Sequence, residues 1–291
     1  MLIDTGYAGN DGRDAKRIVA AANSAGVKKI DHLVVTHYHG DHAGGVAQLA
    51  EKMPIGKIYD HGDAIDKQNQ KTIAVYEPYR ALRTKYQRKA LKVGDKIPLA
   101  GVLVEVVASA GQTISNPLLD DAGKPNAACE SVKPLPPDEG ENAKSLAMII
   151  TFGKLRIADL GDLFWNQELE LACPTNLLGK VDLYMTTHHG TATSGSEAIV
   201  HALHPKVAIM NNGADKGGSI KALKAIKSSP DLEGLWQLHF SNEAGKDHNT
   251  VGNLIANPSP DNDQGFAIEV TARPDGTFTV RNNRNQLSKS Y

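Results

Sequence analysis

Only two cysteines, Cys129 and Cys173, occur in 291 residues, so no site that needs three or four thiolates can be built from this chain. No apolar run approaches the roughly 18 residues that a membrane-spanning helix requires. The opening residues, MLIDTG, lack the basic stretch and apolar core of a secretory leader. A formal net charge of -1 leaves no global field that would draw in nucleic acid or an anionic lipid surface. Aromatic residues make up 5%, too few for the stacking platforms of a dedicated single-strand binder.

What is present is ordinary for an enzyme-sized body: 41% hydrophobic and 22% charged residues are enough to bury a sizeable core. LIDTG reads as a strand ending at a functional edge, GRDAKRIVAAANSAG as a helix stopped by Gly26, KIDHLVVT as a buried strand, and AGGVAQLAEKM as a helix halted by Pro54. Residues 64–92 read as mostly helical. Their run RALRTKYQRKALK holds Arg80, Arg83, Lys85, Arg88, Lys89 and Lys92 without one acid, a solvated helix face or, less simply, a patch for substrate phosphate. KIPLAGVLVEVVASAG reads as a strand pair. Residues 112–142, rich in Pro, Asn, Gly and acid, read as a long lid or binding loop. SLAMIITFGKLRIADLGD reads as two strands, and GFAIEVTARPDGTFTVRNN as a hairpin about Pro-Asp-Gly. KIDHLVVTHYHG and KVDLYMTTHHG form a weak internal repeat that sets His188 where His37 stands. Alternating strands and helices give an α/β class, and two similar halves around one site favour a single domain over residues 1–291.

The chemistry concentrates in HYHGDH, residues 37–42. Imidazoles at i and i+2 on a loop leaving a strand can face one cation, and Asp41 and His42 can turn toward a second. His32, His201 and His204, by contrast, read as satisfied core histidines. GGS at 217–219 and NNG at 211–213 read mainly as structural turns.

The pattern His-X-His-X-Asp-His after an apolar strand resembles the metal signature of the metallo-β-lactamase fold superfamily. LGD at 160–162 and HHG at 188–190 agree with it. The resemblance implies a four-layer αββα sandwich with a helical insertion near 64–92. It implies two divalent ions, zinc with manganese as competitor, held by His37, His39, Asp41, His42, Asp162 and His189. Relatives with a doubled histidine favour His189 as the ligand and His188 as a neighbouring acid, whereas the internal repeat argues the reverse. Asp4 is implied as a partner behind a ligand. The usual third histidine of the first site is missing, and His61 comes too early, after KIYD, so it reads as pocket-lining or as a partner behind a ligand. ENAKSL stands in that place and resembles the subgroup of competence-protein nuclease domains and phosphorylcholine esterases, with Asn142 as a candidate oxygen donor.

By the same resemblance the reaction is hydrolysis by a metal-bridging hydroxide, with Asp41 orienting it and His188 or His189 protonating the leaving group. A phosphodiester or phosphate ester is the first expected substrate. A β-lactam, lactone or thioester is the alternative, and a non-catalytic metal-binding scaffold the minor one. Nucleic acid is a conceivable but, on charge, disfavoured substrate, and no membrane span is expected. The closing segment DGTFTVRNNRNQLSKSY resembles bacterial exported hydrolases that begin with a signal peptide and a further strand pair. This implies a periplasmic or secreted origin and a Cys129–Cys173 disulfide. Composition and spacing alone left two free thiols equally open, and a native start at Met1 would mean a cytoplasmic protein. A start without that strand pair leaves a sheet edge open, with dimerisation or aggregation as the physical risk.

Overall fold

Short runs of Val, Ile and Leu bounded by Gly, Pro and Asp become strands, and each strand hands over to a helix on the same segment. The computed structural model describes residues 1–63, 67–119, 122–259 and 264–291. It divides the chain into two compact units. The first comprises Met1–Lys92, Ala108–Gln112 and Asp138–Leu146; the second comprises Val93–Val107, Thr113–Pro137 and Ala147–Tyr291.

In the first unit Leu2–Ile3, Ile30–Val34, Ile55–Asp60 and Gln87–Ala90 form one sheet in that order, every neighbouring pair parallel. Helices Gly9–Ser24, Val46–Lys52 and Gln70–Arg83 connect them. The first ends at Gly26, which takes the left-handed φ of +73° that a helix stop favours. The third begins at Asn69, whose side chain accepts from the Lys71 and Thr72 amides. Leu33, Val35, Tyr38, Val46, Leu49, Ile58, Tyr76 and Tyr79 are the buried centre of this unit.

The second unit is built on a long mixed sheet. Its spatial order is Ile255–Asn257, Gly234–His239, Val207–Met210, Leu183–Met185, Leu155–Asp159, Ala147–Phe152, Val102–Ser109 and Lys96–Leu99. The first five strands run parallel to their neighbours, and Ala147–Phe152 pairs antiparallel with Leu155–Asp159. The expected closing hairpin is present: Ile268–Ala272 pairs with Phe278–Asn282, and Ser288–Ser290 extends it. Phe278 and Val280 pack with Leu155, Leu183, Val207 and Trp236, so the hairpin covers one face of the long sheet. Both units therefore show the α/β organisation expected. Among the described residues no helix is long and apolar enough to cross a membrane.

Four expectations change. Residues 64–92 are helical only over Gln70–Arg83: beyond it Gln87–Ala90 is a strand, because Arg88 and its neighbours extend the parallel sheet (residues 64–66 lie outside the described residues). The basic run is not a solvated face throughout. Arg83 is buried and pairs with the fully buried Asp60 at 3.0 Å and with Asp63; Arg88 pairs with Asp60 at 2.7 Å, and the Tyr79 hydroxyl donates to Asp60 at 2.6 Å. Two of the six cations thus neutralise the buried carboxylate of Asp60. The long loop at 112–142, apart from 120 and 121, which are outside the described residues, is pinned at several points. Lys124–Pro125 pairs with Thr175–Asn176, and Cys129 is bonded to Cys173. His32, His201 and His204 are satisfied, by Tyr59, Ser228 and Asp231, but are half-buried and not in the core.

Removing one partner of a buried ion pair strands the other charge, at a cost of about 3 kcal/mol or more. Arg83→Met is therefore expected to lower the unfolding free energy by about 3 kcal/mol, whereas Lys85→Met at an exposed position changes it by less than about 0.5 kcal/mol. Urea denaturation of the two variants beside the parent protein checks this.

Candidate metal centre

Parallel register decides where the candidate ligands go. In the first unit Ile3 stands opposite Val34, so Asp4 leaves its strand beside Val35 and Thr36. Asp4 adopts a left-handed φ of +58°, uncommon for a residue with a Cβ, and this turns its carboxylate across the strand ends. Oδ1 accepts from the Thr36 amide at 2.8 Å, and Oδ2 accepts from the Thr36 hydroxyl at 2.7 Å and lies 2.6 Å from His42 Nδ1. The Thr5 amide and hydroxyl both donate to the His42 carbonyl, at 2.8 and 2.9 Å. Gly45 makes this approach sterically feasible, because a Cβ there would stand 2.3 Å from the Thr5 carbonyl oxygen.

His37 is fully buried and His42 nearly so. His37 Nε2 lies 3.0 Å from His39 Nδ1, and the two rings meet edge to face. The short helix Gly40–Ala43 carries Asp41 and His42, with His42 Nε2 3.3 Å from Asp41 Oδ2. Three imidazoles and a carboxylate therefore crowd together. As neutral nitrogen donors with one carboxylate they suit a borderline divalent cation. With Nδ1 of His42 held by Asp4, its Nε2 keeps a lone pair, the arrangement that orients metal-binding histidines elsewhere.

Tyr38, between the two histidines, is anchored from the opposite side. Its amide donates to Glu141 Oε2 at 3.2 Å and its hydroxyl to the Gly62 carbonyl at 2.5 Å. Burial pushes its phenol far above the usual range. His61 Nε2 lies 3.0 Å from the same Glu141 oxygen, both side chains being inaccessible to solvent. Asn142 opens the 3-10 turn Asn142–Lys144 immediately after Glu141. Glu141, the first residue of ENAKSL but not itself read as a site residue, is thus the hub that links His61 to the backbone of the histidine loop.

In the second unit, three adjacent parallel strands each deliver a residue just past their ends. Asp159 is in register with Met185, and Met185 with Ile209. Asp162, His188 with His189, and Asn211 follow those strands. Asp162 is 2% exposed, and its Oδ2 lies 3.4 Å from His189 Nε2 and 3.7 Å from His188 Nε2. Both histidines take left-handed backbone, φ +51° and +56°, a local strain of order 1–3 kcal/mol each. The turn is held by His188 N donating to the Gly161 carbonyl and Gly218 N donating to that of His189. Gly217 in the GGS turn packs so close that a Cβ would stand 2.1 Å from the His189 carbonyl oxygen, so this turn supports the histidine turn directly.

Tautomers follow from the partners. His189 Nδ1 lies 3.1 Å from the Asn211 carbonyl, which can only accept, so the proton sits on Nδ1 and Nε2 faces Asp162 with a lone pair. The Ser194 hydroxyl donates to the Leu163 carbonyl at 2.7 Å and therefore accepts from His188 Nδ1 at 3.1 Å. Behind the turn lies Glu168, fully buried, whose two oxygens accept from the Gly195 and Ser196 amides at 2.8 and 3.0 Å. Sequence reasoning passed over Glu168, because one acid in an amphipathic helix carries no signal. Burial pushes its carboxyl up to about 7, against the lowering pull of those amides.

A carboxyl raised from 4.5 to about 7 on folding binds more protons in the native state than in the unfolded one. Stability therefore falls as pH rises through that window and levels off above it. Glu168→Gln removes the titration and keeps one acceptor oxygen. Melts from about pH 5 to pH 8 are expected to show the parent losing on the order of 3 kcal/mol relative to this variant. Parallel curves for the two proteins would contradict the assignment.

Comparison with known proteins agrees with the fold. The sequence profile of the metallo-beta-lactamase superfamily matches residues 1–108. No curated protein sequence matches the chain. Among solved structures, the metallo-beta-lactamase fold protein YhfI from Bacillus subtilis aligns with a TM-score of 0.46 and 12% identity, over 80% of this chain and 81% of its own. Igni18, a metallo hydrolase from Ignicoccus hospitalis, aligns with a TM-score of 0.41 and 15% identity over 71% of this chain and 75% of its own. A diphosphatase from the PhnP family aligns with a TM-score of 0.35 and 16% identity over 71% and 66%. The matched stretch includes the whole HYHGDH loop, and over those residues the chain is similar to the metallo-beta-lactamase superfamily.

Proposed function

We propose that the chain is a metal-dependent hydrolase whose divalent-cation donors are His37, His39, Asp41 and His42 in the first unit and Asp162, His189 and His188 in the second. The observation that carries this reading is the paired orientation of imidazoles: Asp4 on His42 Nδ1 and the Asn211 carbonyl on His189 Nδ1 turn each Nε2 toward a carboxylate, Asp41 at 3.3 Å and Asp162 at 3.4 Å, the donor pairs a divalent cation would use. Oxygen and imidazole donors without thiolate suit zinc, with manganese as the competitor.

When bound, divalent cations supply Lewis-acid polarisation of the scissile group and make water acidic enough to attack near neutral pH. The chain's own residues do the rest. Asp4 and Thr36 hold the histidine loop at the strand ends, so that the donors need no rearrangement. Asp162 offers a buried carboxylate that balances the charge of the centre. His188, with its Nδ1 proton given to Ser194, presents Nε2 beside Asp162, where it can hold a proton for the leaving group. Asp41, beside His42 Nε2, is the second carboxylate placed to orient attacking water.

For substrate, the ENAKSL and HHG segments favour a phosphodiester or phosphate ester. The basic run lends no support, since Arg83 and Arg88 are engaged with Asp60 and Asp63. The test is hydrolysis of bis(p-nitrophenyl) phosphate by protein stripped and reloaded with zinc or manganese. Turnover is expected that falls by at least about a hundredfold in Asp162→Ala and in His188→Ala when a poor leaving group replaces nitrophenol. Opening of a chromogenic cephalosporin without phosphodiester turnover would transfer the assignment to lactam, lactone or thioester chemistry. Inactivity on both with metal bound would favour the non-catalytic scaffold.

A further inference from the structure

The second unit contains a cleft that the metal reading does not use. Its volume is about 630 Å³, within the range of small-molecule sites, and it is lined by Val132, Lys133, Leu135, Trp165, Lys221 and Lys224 among others. One wall is the segment that the sequence marks as a lid or binding loop. It is fixed in place: Trp165 Nε1 donates to the Lys133 carbonyl at 2.9 Å, and Asn166 pairs with both the amide and the carbonyl of Leu135, at 3.0 and 2.8 Å. The disulfide from Cys129 to Cys173 ties the start of this segment to the end of the helix that carries Trp165. The opposite wall is the helix Ile220–Lys227, which presents Lys221 and Lys224 on its exposed face.

The charge in this cleft is one-sided. Lys133, Lys221 and Lys224 line it against the single carboxylate of Glu197, and among the described residues none of the three lysines has a carboxylate within 4.0 Å. Lys221 instead places its ammonium 3.7 Å from the centre of the Trp165 ring. A cation resting on an indole with no anion beside it is poised to accept one, because the attraction of the ring adds to that of an incoming negative group. Leu135, Val132 and the indole edge supply the apolar surface against which a hydrophobic body can lie.

We propose that this cleft binds a small organic anion, an aromatic or aliphatic body bearing one sulfonate-, carboxylate- or phosphate-type group, with the body against Trp165 and Leu135 and the charge among Lys133, Lys221 and Lys224. The proposal is independent of the metal-centre reading, since every group it uses lies outside the candidate ligands.

The probe is naphthalene-2-sulfonate, compared by calorimetric titration with the neutral 2-naphthylmethanol. The sulfonate is expected to bind one per chain and at least about tenfold more tightly than the alcohol. Lys221→Ala/Lys224→Ala, both exposed and so tolerated by the fold, is expected to weaken the sulfonate to the level of the alcohol and leave the alcohol unchanged. Asp162→Asn is expected to bind the sulfonate as the parent does. Equal affinity for the two compounds, an unaltered sulfonate affinity in the lysine variant, loss of binding in Asp162→Asn, or no saturable binding would each overturn the proposal.

Discussion

Everything at the candidate centre depends on parallel register. Adjacent parallel strands end on the same edge of a sheet, so the residues just beyond them accumulate there without any need for the chain to reach. In the first unit this sets Asp4 next to Thr36 and the histidine loop. In the second it aligns Asp162, the His188–His189 turn and Asn211 after three consecutive strands. A slip of one residue would turn those side chains to the opposite face, and the fully buried Leu33, Val34, Ala158, Leu183 and Ala208 resist such a slip.

The backbone is strained where this edge is most crowded. Asp4, His188 and His189 all adopt left-handed φ, and each is held by hydrogen bonds from segments far away in sequence. Gly45 and Gly217 make room for those segments. Burying so many polar groups costs free energy unless each is satisfied, and the carboxylates of Asp4, Asp60, Glu141 and Glu168 serve that purpose. Three of them act on the histidine loops, while Asp60 braces the sheet and helix behind Tyr38.

Much of this was legible in the sequence because the signal was local. HYHGDH, LGD and HHG are each contiguous, and an apolar run ahead of each marks the strand that carries it. The strand and helix alternation was legible for the same reason, as was the Pro-Asp-Gly hairpin. What escaped depends on contacts between distant residues. Nothing in RALRTKYQRKALK announces that Arg83 and Arg88 meet Asp60 and Asp63, so a strand read as a helix and buried cations read as exposed. Glu141 and Glu168 each stand near other acids, and their roles emerge only from what folds against them. The pairing of Cys129 with Cys173 was implied by resemblance, not by spacing.

The central claim is the proposal that the histidine loop and the Asp162–His189 group are donors for divalent cations. Calorimetric titration of zinc into chelator-stripped protein tests it most directly, with Asp162→Ala and Asp4→Ala beside the parent. The account predicts up to two tight ions in the parent, loss of at least one in Asp162→Ala, and a roughly 10- to 100-fold weaker affinity in Asp4→Ala, where only the support behind His42 is removed. Identical stoichiometry and affinity in all three proteins would contradict it.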